Sequence, residues 1–131
     1  MAAFAQARYS IRLEGTETSG DYAAPDPRLD TGFLNLTVDE GTTIRMAVAD
    51  PSTTDFNTDQ LKGGVNDVRL VAISASGAAT VVRTGNAAGT GWPLRAGGWF
   101  LADTGTGVSA NFSVINDAGA ANTLTVHILG T

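Results

Sequence analysis

Cysteine is absent from these 131 residues. No disulfide can staple the chain, and neither a thiolate nucleophile nor a thiolate metal site can be built. Lysine occurs once, at Lys62, and histidine once, at His127. The arginines (Arg8, Arg12, Arg28, Arg45, Arg69, Arg83 and Arg95) are scattered, and acidic residues outnumber basic ones 13 to 8. Releasing counterions from a phosphate backbone needs a concentrated positive field, so nucleic acid is not expected as a partner. A lone imidazole with no second histidine or cysteine makes a poor catalytic or metal centre. Long apolar runs are missing too. No stretch approaches the roughly 20 residues of a membrane helix, and no membrane partner is expected. Met1–Ala7 lacks the basic start and the apolar run of a secretion signal, which predicts synthesis in the cytosol without export.

What the chain does have is glycine, threonine and short alternating runs. Sixteen glycines punctuate the sequence. Tyr9, Ile11 and Leu13 alternate with polar residues, as do Leu34, Leu36 and Val38, then Ile44, Met46 and Val48. Val68–Ile73 is more continuously apolar, as a strand buried on both faces would be. Thr80–Arg83 and Gly98–Ala102 follow. Val108, Ala110, Phe112 and Val114 alternate, and so do Leu124, Val126 and Ile128. Period-2 patterning puts one face toward a core and the other toward water or a partner. Asp39-Glu40-Gly41, Ser76-Gly77 and Asn116-Asp117-Ala118-Gly119 separate these runs, the last reading as a hairpin turn. No segment holds a helical period for three turns. The expectation is an all-β chain: a two-sheet antiparallel β-sandwich, jelly-roll-like, of about eight strands. Residues 1–8 form an N-terminal arm and 9–131 the sandwich. In a jelly roll the last strand lies beside the first.

Two connections are longer than loops usually are, Glu14–Gly32 and Ala49–Asn66. A third, Gly85–Gly97, is glycine-rich and carries Trp92. Long loops in a compact domain commonly bind something. Trp92 and Trp99 suit either a sugar-binding platform or an interface anchor. Trp99, flanked by Phe100 and Leu101, reads as the better core member.

Motifs for chemistry are weak. Asp30-Thr31-Gly32 and Asp103-Thr104-Gly105 match the Asp-Thr-Gly of aspartic proteases, whose two aspartates share one proton. Here the simpler reading is a strand ending in an Asp/Gly turn. Asp50, Asp55, Asp59 and Asp67 gather oxygen donors near one loop, yet their spacing fits no EF-hand. Gly85–Gly91 is not followed by the Lys-Ser/Thr of a phosphate loop. Neither catalytic residues nor a cofactor or metal are expected.

The C-terminal third resembles small structural proteins of tailed phages. The resemblance rests on Trp92-Pro93-Leu94-Arg95-Ala96-Gly97-Gly98-Trp99-Phe100-Leu101, on Ala110-Asn111-Phe112-Ser113-Val114-Ile115-Asn116, and on Thr123–Thr131. By size and composition the chain is similar to the jelly-roll cement, or head decoration, proteins. That resemblance implies a virion protein on the capsid surface, bridging copies of the major capsid protein as a homodimer or homotrimer. It implies no active site. Other readings are a phage tail, baseplate or fibre module, a carbohydrate-binding β-sandwich and a retroviral-type protease. The candidate docking residues are Phe4 and Arg8 in the arm, Tyr22, Pro25 and Arg28 in the first long loop, Phe56 in the second, and Trp92.

Overall fold

Alternation is most regular in the last segment, where every second residue from Asn122 to Gly130 is buried. The fold is organised around that strand. The computed structural model describes residues 2–3, 7–13, 29–38, 40–56, 65–108 and 112–131. In chain order the strands are β1 (Ala2–Ala3), β2 (Ala7–Tyr9), β3 (Arg12–Leu13), β4 (Leu29–Asp30) and β5 (Leu34–Leu36). Then come β6 (Glu40–Val48), β7 (Ser52–Asp55), β8 (Val68–Ala75), β9 (Ala79–Arg83) and β10 (Trp92–Leu94). The last three are β11 (Trp99–Val108), β12 (Phe112–Asn116) and β13 (Asn122–Gly130). One turn of 3-10 helix, Ala88–Thr90, is the only helical element among the described residues.

Two antiparallel sheets hold most of these strands. One has the order β1-β6-β13-β8-β11, the other β10-β9-β12-β7. From β6 onward the chain changes sheet at every connection except β9 to β10. That double winding of eight strands is the jelly roll. Its last strand, β13, lies beside its first, β6, over nine paired residues. The short β1 adds to the outer edge of β6, Ala2 opposite Gly41 and Ala3 opposite Glu40.

The core follows from the pleat. On β13, Leu124, Val126 and Ile128 point inward and are fully buried. They meet Val71, Ile73 and Ala75 of β8, with Ile44 and Met46 of β6 packed alongside. Val81 of β9, Leu94 of β10 and Val114 of β12 close the core from the other sheet. Strand β8 is buried on both faces, as its continuous apolar run predicts. Its outward Leu70 is covered by Leu36 and Val38, with Tyr9 and Leu129 beside them.

Several expectations need correction. The runs at 9–13 and 34–38 do not belong to the sandwich. They form two small ribbons, β2 paired with β5 and β3 with β4. The eight sandwich strands begin at Glu40, and the count is restored by β7 and β10, which lie inside the stretches expected to be loops. The alternation from Val108 to Val114 is not one strand: β11 ends at Val108 and β12 starts at Phe112. Asn116–Gly119 is no hairpin, because β12 and β13 belong to different sheets.

Buried asparagines hold those corners. The Asn116 amide donates to the carbonyls of Ala49 and Ala120, each at 3.0 Å, tying the β6–β7 corner to the β12–β13 corner. The Asn122 carbonyl oxygen accepts from the Gly77 N–H at 2.8 Å and the Ser76 hydroxyl at 2.9 Å. Its amide donates to the Ala78 carbonyl at 3.1 Å, so the β8–β9 corner is fixed as well. A turn that leaves its sheet cannot complete a hairpin ladder, and a buried side-chain amide satisfies the backbone groups left over.

Candidate docking ribbon and aromatic groove

Strand pairing places the ribbons on the outer face of the five-stranded sheet. Along β11, Trp99, Leu101 and Asp103 share the outward face, since their partners on β8 are Ser74, Ala72 and Leu70. The Tyr9 hydroxyl donates to the Asp103 carboxylate. Together with the Leu36–Val38–Leu70 cluster, this bond docks the ribbons over one end of that face. At the other end Thr43, Arg45 and Trp99 are exposed, with Thr125 and His127 half-buried between them.

The hydrogen bond to Asp103 raises the pKa of Tyr9 above the ordinary phenol value, with desolvation and the carboxylate's charge adding to it. The folded chain therefore holds the phenolic proton more tightly than the unfolded chain does. The contact contributes fully below about pH 10 and is lost as pH rises through the raised folded value. Carbon-13 NMR of the Tyr9 ring should show ionisation above the ordinary value, and Asp103→Asn should move it back down. A Tyr9 that titrates normally in the intact chain would mean that the ribbon is not tied there.

The ribbons present apolar side chains to solvent. Leu13, Phe33 and Leu34 are exposed, Phe33 by 64%. The Arg8 guanidinium sits over the Phe33 ring, 4.6 Å from its centroid. The turn beneath is built by Asp30, whose carboxylate accepts from the Gly32 N–H at 2.8 Å. The Thr31 hydroxyl accepts from the Ile11 N–H at 3.0 Å and locks the two ribbons together. Asp30 and Asp103, the two Asp-Thr-Gly aspartates, thus occupy different elements, one closing a turn and the other holding Tyr9. Of the acidic residues around the second long loop, Asp59 lies outside the described residues, and Asp50 and Asp55 serve separate corners. Asp50 accepts from the Gly119 N–H at 3.0 Å, and Asp55 takes the Ser113 hydroxyl. Among the described residues, no group of three or more His, Asp or Glu could hold a metal ion.

The candidate docking residues have mixed fates. Phe4, Tyr22, Pro25 and Arg28 lie outside the described residues. Arg8 is exposed on β2 above Phe33. Trp92 is half exposed on β10, its ring against Phe100 with centroids 5.4 Å apart. Phe56 is a correction: it is fully buried and stacks on Phe112 at 5.3 Å, so no partner can reach it. Trp99 is a second correction. It is 59% exposed, while its neighbour Phe100 turns inward, because adjacent residues of a strand cannot share a face.

Two sets of residues were missed. Phe33 falls out of phase with Leu34, Leu36 and Val38, and that break of the alternation was the available signal. The other set surrounds Trp99. Its ring stacks on His127, with centroids 6.1 Å apart and planes 17° apart. The strand between them offers only Ala72 and Ser74 there, short enough for the indole to reach across. Thr43 fixes the imidazole through a 2.9 Å hydrogen bond to Nδ1. Next to Trp99 runs an open groove of about 240 Å³, lined by Arg45, Ser74, Ala75, Ser76, Gly97, Thr123 and Thr125.

Comparison with known proteins gives no relative: no family model matches the chain, nor does any curated protein or solved structure.

Proposed function

We propose that this chain is a structural virion protein of the head decoration type, docking on a phage capsid and bridging copies of the major capsid protein as a homo-oligomer. The role is one of binding, without catalysis, and the protein is made in the host cytoplasm before it joins the particle. The observation that carries the reading is the exposure of Leu13, Phe33 and Leu34 on the two ribbons, with Arg8 over the Phe33 ring. Large apolar side chains left exposed on a pair of short ribbons mark a surface for protein contacts, and aromatic and arginine residues dominate the energy of such contacts. The jelly roll beneath supplies a rigid base, and a fold by itself dictates no function. The C-terminal resemblance to phage structural proteins supplies the identity of the partner.

Each docked copy would stabilise only the assembled shell, through mass action. Co-sedimentation of the purified chain with assembled capsids of its phage tests the reading. Saturable binding is expected. Phe33→Ala should weaken it by about tenfold or more, the effect of removing a central anchor. Thr53→Ala, on the exposed side of β7, should leave it unchanged. Binding to tails but not heads, or equal binding by Phe33→Ala, contradicts the proposal.

A further inference from the structure

The groove beside Trp99 is a separate site. Strand register sets four side chains in one row across the sheet: Arg45 on β6, Thr125 on β13, Ser74 on β8 and Trp99 on β11. With strands about 4.8 Å apart, the row runs about 14 Å from guanidinium strand to indole strand. His127 backs the Trp99 ring on one side, and 59% of the residue remains exposed. An indole held nearly parallel to an imidazole and more than half exposed is a flat and rigid platform that loses little rotamer entropy when something lies on it.

The groove floor is made of hydroxyls. The Ser74 hydroxyl already donates to the Gly98 carbonyl at 2.8 Å, so toward a ligand it is an oriented acceptor. The Ser76 hydroxyl donates to Asn122 and accepts from the Thr123 N–H at 3.0 Å, which fixes it too. Among the described residues, neither the Thr125 hydroxyl nor the Arg45 guanidinium has a hydrogen-bond or ion-pair partner. Among the described residues, no acidic residue lines the groove, although the chain as a whole carries a formal charge of −5. A volume of about 240 Å³ is below that of pockets for drug-sized ligands and suits a single ring.

An exposed indole beside the groove, a floor of short hydroxyls and, at the far end, a cation with no partner among the described residues select a particular chemistry. The ligand needs C–H groups on one face of a ring, several hydroxyls at its rim and a negative group beyond them. We infer that this groove binds one residue of an acidic saccharide, its ring on Trp99, its hydroxyls over Ser74 and Thr125, and its carboxylate paired with Arg45. A neutral aromatic ligand would leave the hydroxyl floor unused. A peptide carboxylate would leave the indole unused.

The site shares no residue with Leu13, Phe33, Leu34 or Arg8, so it stands or falls apart from capsid docking. Titrating the full chain with glucuronic acid, N-acetylneuraminic acid, glucose and acetate, followed by NMR shifts of the indole N–H groups, tests it. The acidic sugars should move the Trp99 signal saturably, with millimolar affinity and at least about tenfold tighter than glucose. Trp99→Ala should abolish binding of the sugars. Arg45→Gln should bring the acidic sugars down to the affinity of glucose, while Phe33→Ala should change nothing. Both Trp99 and Arg45 are exposed, and circular dichroism of each variant checks that the fold is kept. The inference is overturned if no sugar produces a saturable shift, if glucose binds as tightly as the acidic sugars, or if acetate alone reproduces the response.

Discussion

Phe56→Ala is expected to cost about 3–5 kcal/mol of stability, the usual penalty for emptying a buried phenylalanine site. In a domain of this size that lowers the melting temperature by roughly 10 °C or more. Phe56 is fully buried in the principal core, stacked on Phe112 with ring planes 15° apart. Its N–H donates to the Phe112 carbonyl at 3.1 Å, so the backbone continues the β7–β12 ladder one residue past the end of β7. Neighbouring core side chains are clamped by two sheets and can close only part of the void. A docking residue would behave differently: its removal would weaken partner binding and spare the melting temperature. Thermal denaturation followed by circular dichroism separates the two, and an unchanged midpoint would return Phe56 to the surface.

Gly130→Ala is expected to be about as damaging, although it adds only one methyl group. A Cβ there would lie 1.9 Å from the Asp67 carbonyl oxygen and 2.8 Å from Val65 Cγ1. The obstacle is backbone, which cannot swing aside as a flexible side chain would. The Thr131 carbonyl accepts from the N–H groups of Asn66 and Asp67 at 3.0 and 2.8 Å, and the Thr131 N–H donates to Asp67 at 3.1 Å. Making room for the methyl group means loosening that clasp, which holds the start of β8 against the end of β13. Overpacking costs about 1–3 kcal/mol where neighbours can yield, and the upper end or more is expected against a fixed carbonyl. Denaturant unfolding of Gly130→Ala should show a lower midpoint with an unchanged slope. Wild-type stability would mean that the end of β13 is not clasped to the start of β8.

The strands that carry the core were legible in the sequence because their alternation is written in large apolar residues. Leu124, Val126 and Ile128 announce β13, and Ile44, Met46 and Val48 announce β6. Strand β7 could not be found that way. Its half-buried positions are Ser52 and Thr54, so it has period-2 burial without period-2 hydrophobicity. Strand β10 lay hidden in a glycine-rich stretch, and its Pro93 is accommodated because β10 is the edge of its sheet. The residues around Asn116–Gly119 do make a turn. Turn chemistry does not record which sheet the next strand joins, and a sandwich corner looks like a hairpin. The early runs at 9–13 and 34–36 alternate as well as sandwich strands do, because they bury Leu36 and Tyr9 against the outside of a sheet instead of its inside.

The candidate sites were less legible for a related reason. Three large residues in a row, Trp99, Phe100 and Leu101, suggested a core segment. The pleat allows only the middle one in, and the two left outside flank the open half of the sheet. The groove itself is assembled by register, from Arg45, Ser74 and Thr125 on three strands far apart in sequence. No local pattern could disclose it.

Docking through the ribbons is tested most directly by amide hydrogen exchange of the chain free and bound to capsids. Slower exchange is expected in residues 7–13 and 29–36 on binding, with the outer face of β7, β9 and β12 unchanged. Protection of that opposite face, or none at the ribbons, would contradict the claim.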